Sequence, residues 1–251
     1  MINKALEIDP ALADSYLSQA SISFYYDWDF AKAEREYRRA LELSPDNPDA
    51  HWRYGNLLAN CGRFQEAVAE GEKAVELDPL SLLAHFFLAR FYGFARRFDE
   101  SFEQVRKIIE IEPNFGGAYV QFGALYMLQE KYGEALKVYQ KALALSGFNA
   151  AVISLLGACY GVLGEKDKAY EMLDRLSELK KKIYVSPFCM ARIYAGLGEK
   201  EKAFEWLEKS FVERNGELIA LKSEKLAYLS GNSVIEDPRY QDLIQRVGLP
   251  Q

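Results

Sequence analysis

Along the chain, small and apolar residues return to the same places every 34 positions. Ala33, Ala67, Ser101, Ala135, Ala169 and Ala203 form one series, Gly55, Ala89, Gly123, Gly157 and Ala191 a second, and Tyr92, Tyr126, Tyr160 and Tyr194 an aromatic third. Pro45, Pro79 and Pro113 close successive units, and Gly147 and Lys181 fall where the next two prolines belong. A period of this length marks an array of one supersecondary unit. The pattern predicts two antiparallel helices per unit, with small residues where the backbones cross and aromatics in the adjoining gaps. A lone unit cannot bury its apolar faces, so stacking on its neighbours supplies the core.

The register places six units at 13–45, 48–79, 82–113, 116–147, 150–181 and 184–214 within an array spanning 11–214. Residues 1–10 read as the remnant of a preceding helix, because Pro10 matches a closing proline. On that reading the chain is a piece of a longer protein. Pro10 and Pro45 are 35 apart, one more than the period, and the extra residue is expected in the turn from Tyr26 to Phe30. The second helix of unit five is expected to run on through Lys180, Lys181 and Lys182, displacing the turn that follows. Beyond 214 the repeat stops, and 215–251 reads as a helical cap. Asn215-Gly216 reads there as a helix C-terminus, 217–229 as a helix and Ser230 to Ser233 as a turn. Asp237-Pro238 then opens a short helix through Val247, which Gly248 and Pro250 end.

Tyr119, Phe122, Gly123 and Tyr126 in the first half of unit four, followed by Ala135, Tyr139 and Ala142, resemble the tetratricopeptide repeat signature. The same likeness recurs in each unit. It implies an all-α fold, a right-handed α-α superhelix of helix-turn-helix units with a short helical cap, and a protein-interaction role. The stretch Asp237 to Tyr240 with Leu243 and Gly248-Leu249-Pro250 resembles an end-of-array segment of bacterial tetratricopeptide proteins. In that group the repeats often follow a winged-helix, adenylate cyclase or protein kinase domain.

Composition adds mainly exclusions. The 37 acidic against 31 basic side chains give a net charge of -6, which argues against nucleic acid as a partner. Cys61, Cys159 and Cys189 are odd in number and widely spaced, so neither a disulfide framework nor a metal site is expected. No run of 18 apolar residues and no apolar leader occurs, so the reading is a cytoplasmic chain without a membrane segment. His51 and His85 share one repeat position and are expected to pack rather than catalyse. No catalytic set can be assembled and no cofactor is implied, so an enzyme is not expected.

The resemblance implies that the inner face is built from the first helix of each unit, at its second, fifth, sixth, ninth, twelfth and thirteenth positions. The binding candidates there are Tyr25, Trp52, Arg53, Asn56, Phe86, Phe87, Arg90, Phe94, Gln121, Met127, Leu128, Phe188 and Arg192. Small residues Gly117, Ala124, Ala151, Ser154, Ala158 and Gly161 line units four and five and are read as room for a ligand. This largely apolar face predicts a protein or peptide partner, a helix or extended segment whose acidic residues pair with Arg53, Arg90 or Arg192. The alternative is coverage by the chain's own tail from 217 onward or by a second copy in a homodimer. Family members that bind Hsp70 or Hsp90 tails use a clamp of Lys, Asn and Arg across three units. The matching positions here are Leu17, Ser21, Arg53, Leu83 and Phe87, so that carboxylate clamp is not expected.

Overall fold

The computed structural model describes residues 13–146, 149–223 and 232–250. Every regular element among them is helical. The chain divides into two compact units, one reaching Ile111 and including Arg246 to Pro250, the other spanning Glu112–Gln245.

The first unit holds α1 (Ala13–Ile22), α2 (Phe30–Leu43), α3 (Pro48–Asn60), α4 (Phe64–Leu77), α5 (Leu82–Phe94) and α6 (Phe98–Ile111). Helix starts follow local chemistry: Asp29, Asn47 and Ser81 accept from the backbone N–H of Lys32, Ala50 and Ala84. Second helices are buried along one stripe, as in α2 at Phe30, Ala33, Tyr37 and Ala40. First helices are enclosed almost all round, and α3 buries nearly every residue from Ala50 to Asn60. Consecutive repeats are also tied by polar contacts, as where Tyr92 Oη donates to Glu72 at 2.7 Å.

The second unit holds α7 (Gly116–Leu128), α8 (Tyr132–Ser146), α9 (Ala150–Val162), α10 (Lys166–Lys180), α11 (Pro187–Gly196) and α12 (Lys200–Val212). A 3-10 helix follows at Gly216–Ala220, then α13 (Asn232–Ile235) and α14 (Pro238–Val247). At the crossing of α9 and α11 the backbones touch: a Cβ on Gly161 would stand 2.6 Å from the carbonyl carbon of Gly196, and one on Gly196 would strike Ala158. The small residues read as room for a ligand here admit a neighbouring helix instead.

Between the two helices of each pair lies a left-handed residue. Trp28, Gly62, Arg96, Glu130, Gly164 and Gly198, each 34 after the last, have φ between 57° and 83°. The next residue's N–H reaches back five residues, as in Arg63 to Leu58 at 2.9 Å and Glu165 to Tyr160 at 2.9 Å, which closes the helix end as a Schellman motif.

Several details differ from the sequence reading. The extra residue of the first repeat is absorbed before the turn, as a π-helical stretch at Ser23–Asp27, so that Asp29 N–H reaches six residues back to Ser23. Helix α10 ends at Lys180 and does not continue through Lys182, because Lys181 and Lys182 bond to the carbonyls three residues before them. Its successor does start late, at Pro187, where Ser186 supplies the cap. Asn215 is no helix C-terminus: Arg214 takes the left-handed conformation, and Asn215 caps the 3-10 helix. Residues 217–223 form that 3-10 helix and a turn rather than an α-helix, and Asn232 begins a helical turn. The rest of the expected helix at 217–229, the remnant at 1–10, Gly147, Ser230 and Gly231 lie outside the described residues.

Two stability predictions follow from the backbone. Gly161→Ala drives a methyl into the α11 backbone, which no side-chain rotation relieves, and should cost about 1–3 kcal/mol in urea denaturation. Glu130→Gly removes the Cβ penalty of a left-handed residue and should raise stability by about 0.5–1 kcal/mol by the same measurement.

Candidate functional site

In the first unit, α3 and α5 bring most of the predicted residues together. The rings of Trp52 and Phe87 stack with centroids 4.4 Å apart and planes 9° from parallel. Arg53 lies 4.6 Å over Trp52, and Arg90 lies 5.4 Å from Phe87 and 5.6 Å from Phe94. Phe86 meets Phe87 edge-on at 5.4 Å. Trp52, Phe87 and Phe94 thus each face a guanidinium, an arrangement that strengthens as water is excluded. Leu83, 47% exposed, extends the apolar stripe along α5.

Tyr25 closes one edge of this cluster. Its Oη accepts from Asn56 Nδ2 at 2.7 Å, and Asn60 in turn donates to the Asn56 backbone oxygen at 2.7 Å. Burial raises the Tyr25 pKa above the ordinary 10.0 against the opposing pull of Arg90, the Asn56 hydrogen bond and Arg53. Both guanidiniums therefore act on one hydroxyl. Trp52 and Asn56 are themselves buried, Trp52 donating to Asp49 at 2.8 Å, so they support the face rather than form it. Arg53, Phe86, Phe87, Arg90 and Phe94 are half-buried, and Tyr25 is 38% exposed.

The second unit is different. Met127 sits in a core cluster with Tyr139, Ile153 and Leu156, and Gln121, Phe188 and Arg192 are buried. Leu128 is half-buried. An open face built from these residues is therefore corrected to a largely filled interior. Arg192 donates to Ser154 Oγ and stands 3.6 Å from Glu217. Ser154 is expected from sequence only as a small residue leaving room for a ligand, and Glu217 does not figure among the candidates, although it is the first acidic residue after the last repeat. Cys159 and Cys189 are buried, which pushes their thiols up to about 12 and about 11 and leaves them weak nucleophiles at neutral pH.

Models of the tetratricopeptide repeat family match residues 19–82 and 126–186. The chain is a tetratricopeptide repeat protein. Among solved structures, this array is similar to a tetratricopeptide repeat protein from Parabacteroides merdae at 13% identity and a TM-score of 0.64, covering 98% of this chain and 90% of that one. It is also similar to a thermophilic tetratricopeptide protein of Thermus thermophilus, TTC0263, at 19% identity and a TM-score of 0.62, covering 74% and 98%. A third likeness, at 24% identity and a TM-score of 0.59, is to the type IV pilus biogenesis factor PilW, covering 72% and 82%. No curated protein matches. Tetratricopeptide arrays are protein-interaction scaffolds and typically non-catalytic. Among the described residues, no helix is long and apolar enough to cross a membrane.

The two histidines of the array act as clasps. His51 Nε2 bonds the Pro45 carbonyl at 2.8 Å and His85 Nε2 that of Pro79 at 2.9 Å, while Tyr119 Oη, in the same repeat position, donates to Pro113. A carbonyl only accepts, so both rings are protonated at Nε2. His51 Nδ1 then meets the Glu70 carboxylate at 2.6 Å, whereas His85 Nδ1 meets the amide of Gln104 at 2.7 Å. Burial lowers the His51 pKa, but the Glu70 hydrogen bond, the Pro45 carbonyl and the Glu70 charge outweigh it and hold the value above the ordinary 6.5. A raised folded-state pKa stabilises the fold fully below 6.5, and that contribution is lost as pH rises through the folded value. The urea midpoint should therefore fall over this window. Glu70→Gln, which copies the Gln104 arrangement, should flatten the dependence.

Proposed function

We propose that the face of α3 and α5 holds a segment of another protein, an amphipathic helix or extended stretch with apolar and acidic residues. Its apolar side chains would lie on Leu83, Phe86 and Phe87, and its carboxylates would meet Arg53 and Arg90. Arg53 carries this reading. Its guanidinium is stacked on Trp52, its Nε is buried without a hydrogen-bond partner, and no carboxylate pairs with it among the described residues. A partner's acidic residue would supply what the fold leaves unanswered. The end-of-array stretch at Asp237 to Tyr240 and Gly248 to Pro250 suits a recognition module of a larger bacterial regulatory or signalling protein.

Selection from a displayed peptide library on the full chain should enrich sequences with acidic residues flanking apolar ones. Against a selected peptide, Arg53→Glu and Phe86→Ala should each weaken binding about tenfold, or ~1.4 kcal/mol, with helix content unchanged. Lys137→Glu, at an exposed position on α8, should have no effect. Equal binding by all three variants would refute this face. Loss of binding with dimerisation of the wild type in light scattering would instead favour a second copy as the occupant.

A further inference from the structure

Phe188 and Arg192 hold the same repeat positions as Phe86 and Arg90, three 34-residue periods later. Yet Arg192 is only 4% exposed. Its guanidinium lies 5.0 Å over Phe188, donates to Ser154 Oγ on α9, and has Glu217 Oε1 at 3.6 Å. The Ser154 hydroxyl in turn donates a hydrogen bond to the Ala151 carbonyl at 2.7 Å. A guanidinium withdrawn from water to this degree is unfavourable unless an anion answers it. Here the anion comes from the chain itself.

Glu217 opens a short segment just beyond the last repeat. Its N–H is capped by Asn215 at 3.0 Å, Leu218, Ile219 and Leu221 are buried, and the Leu221 carbonyl accepts from Tyr240 Oη at 2.6 Å. The segment has the composition expected of a ligand for a face bearing an aromatic ring and a guanidinium: one carboxylate followed directly by aliphatic side chains. It is also held differently from an array helix. Gly216–Ala220 is five residues of 3-10 helix, too short for a cooperative hydrogen-bond ladder. The ion pair is longer than the roughly 2.7–2.9 Å of a well-made charge-assisted bond, and the Glu217 side chain is 36% exposed. The backbone of the segment therefore adds little to its retention, which rests on the buried Leu218, Ile219 and Leu221 and on the contacts of Glu217 and Tyr240.

We propose that Gly216–Leu221 is an intrachain occupant of a binding site formed by Ser154, Phe188 and Arg192, and that a partner segment of the same chemistry, a carboxylate followed by aliphatic residues, exchanges with it. The site belongs wholly to the second unit and stands whether or not the face of α3 and α5 binds anything.

The test uses the full chain and a labelled synthetic peptide with the sequence of residues 215–223, read by fluorescence anisotropy. Glu217→Lys combined with Leu218→Asp should release the segment and bind the peptide at least about tenfold more tightly than wild type. Adding Arg192→Met should abolish that gain, and a peptide carrying Gln in place of Glu217 should bind no better than to wild type. Equal peptide binding by wild type and released chain, or indifference to Arg192, would show that the segment is a fixed end cap. If the double variant loses helix content, Glu217→Gln is read by hydrogen exchange instead. Amides of 216–221 should then exchange about tenfold faster while those of α9 and α11 keep their protection, and unchanged exchange in 216–221 would overturn the proposal.

Discussion

Every helix pair depends on one residue that an L-amino acid enters reluctantly. The left-handed turn at Trp28, Gly62, Arg96, Glu130, Gly164 and Gly198 reverses the chain within three residues, and the N–H that follows it seals the end of the first helix. Only three of these positions are glycine, so the strain at the others is offset by the packing of the pair they join. The one-residue insertion in the first repeat shows how firmly this point is fixed. The additional residue widens the end of α1 into a π-helical stretch, and Trp28 still occupies the left-handed position.

Once the turn is set, burial is decided by how closely first helices approach one another. In the second unit glycines let α9 and α11 meet backbone to backbone, and residues between them lose contact with solvent whatever their polarity. In the first unit Ala59 and Phe94 stand at the positions of Gly161 and Gly196, and Trp52 and Phe87 stack flat between α3 and α5, while Arg53 and Phe86 stay half-buried. The same repeat position can thus be core in one place and face in another.

This is also where the sequence stopped being informative. Helix pairing was legible from the 34-residue series, and so was the helix start at Asp237-Pro238, because both rest on local rules: small residues at crossings, and an N-cap followed by proline. The left-handed positions were not, since Trp28, Arg96 and Glu130 carry no glycine to announce them. The site was legible in part. Repeat register correctly picks out residues of the first helices, but the burial of Met127, Gln121 and Phe188 depends on distances between helices that a periodic pattern does not contain. Glu217 lies after the periodic region, where register has nothing to say.

The arginines show what separates a half-open face from a core. Arg53 is stacked on an aromatic ring, with its charge facing no carboxylate among the described residues. Arg192 is stacked in the same manner and also reaches Ser154 and Glu217. Stacking supplies attraction to the ring but does not neutralise the charge, so it leaves a guanidinium still able to gain from an anion. Where the chain provides that anion, the arginine can be buried. Where it does not, the arginine is kept partly in water, and the nearby apolar surface stays open with it. The half-buried aromatic stripe beside Arg53 is therefore maintained by the absence of a carboxylate among the described residues as much as by the presence of the rings.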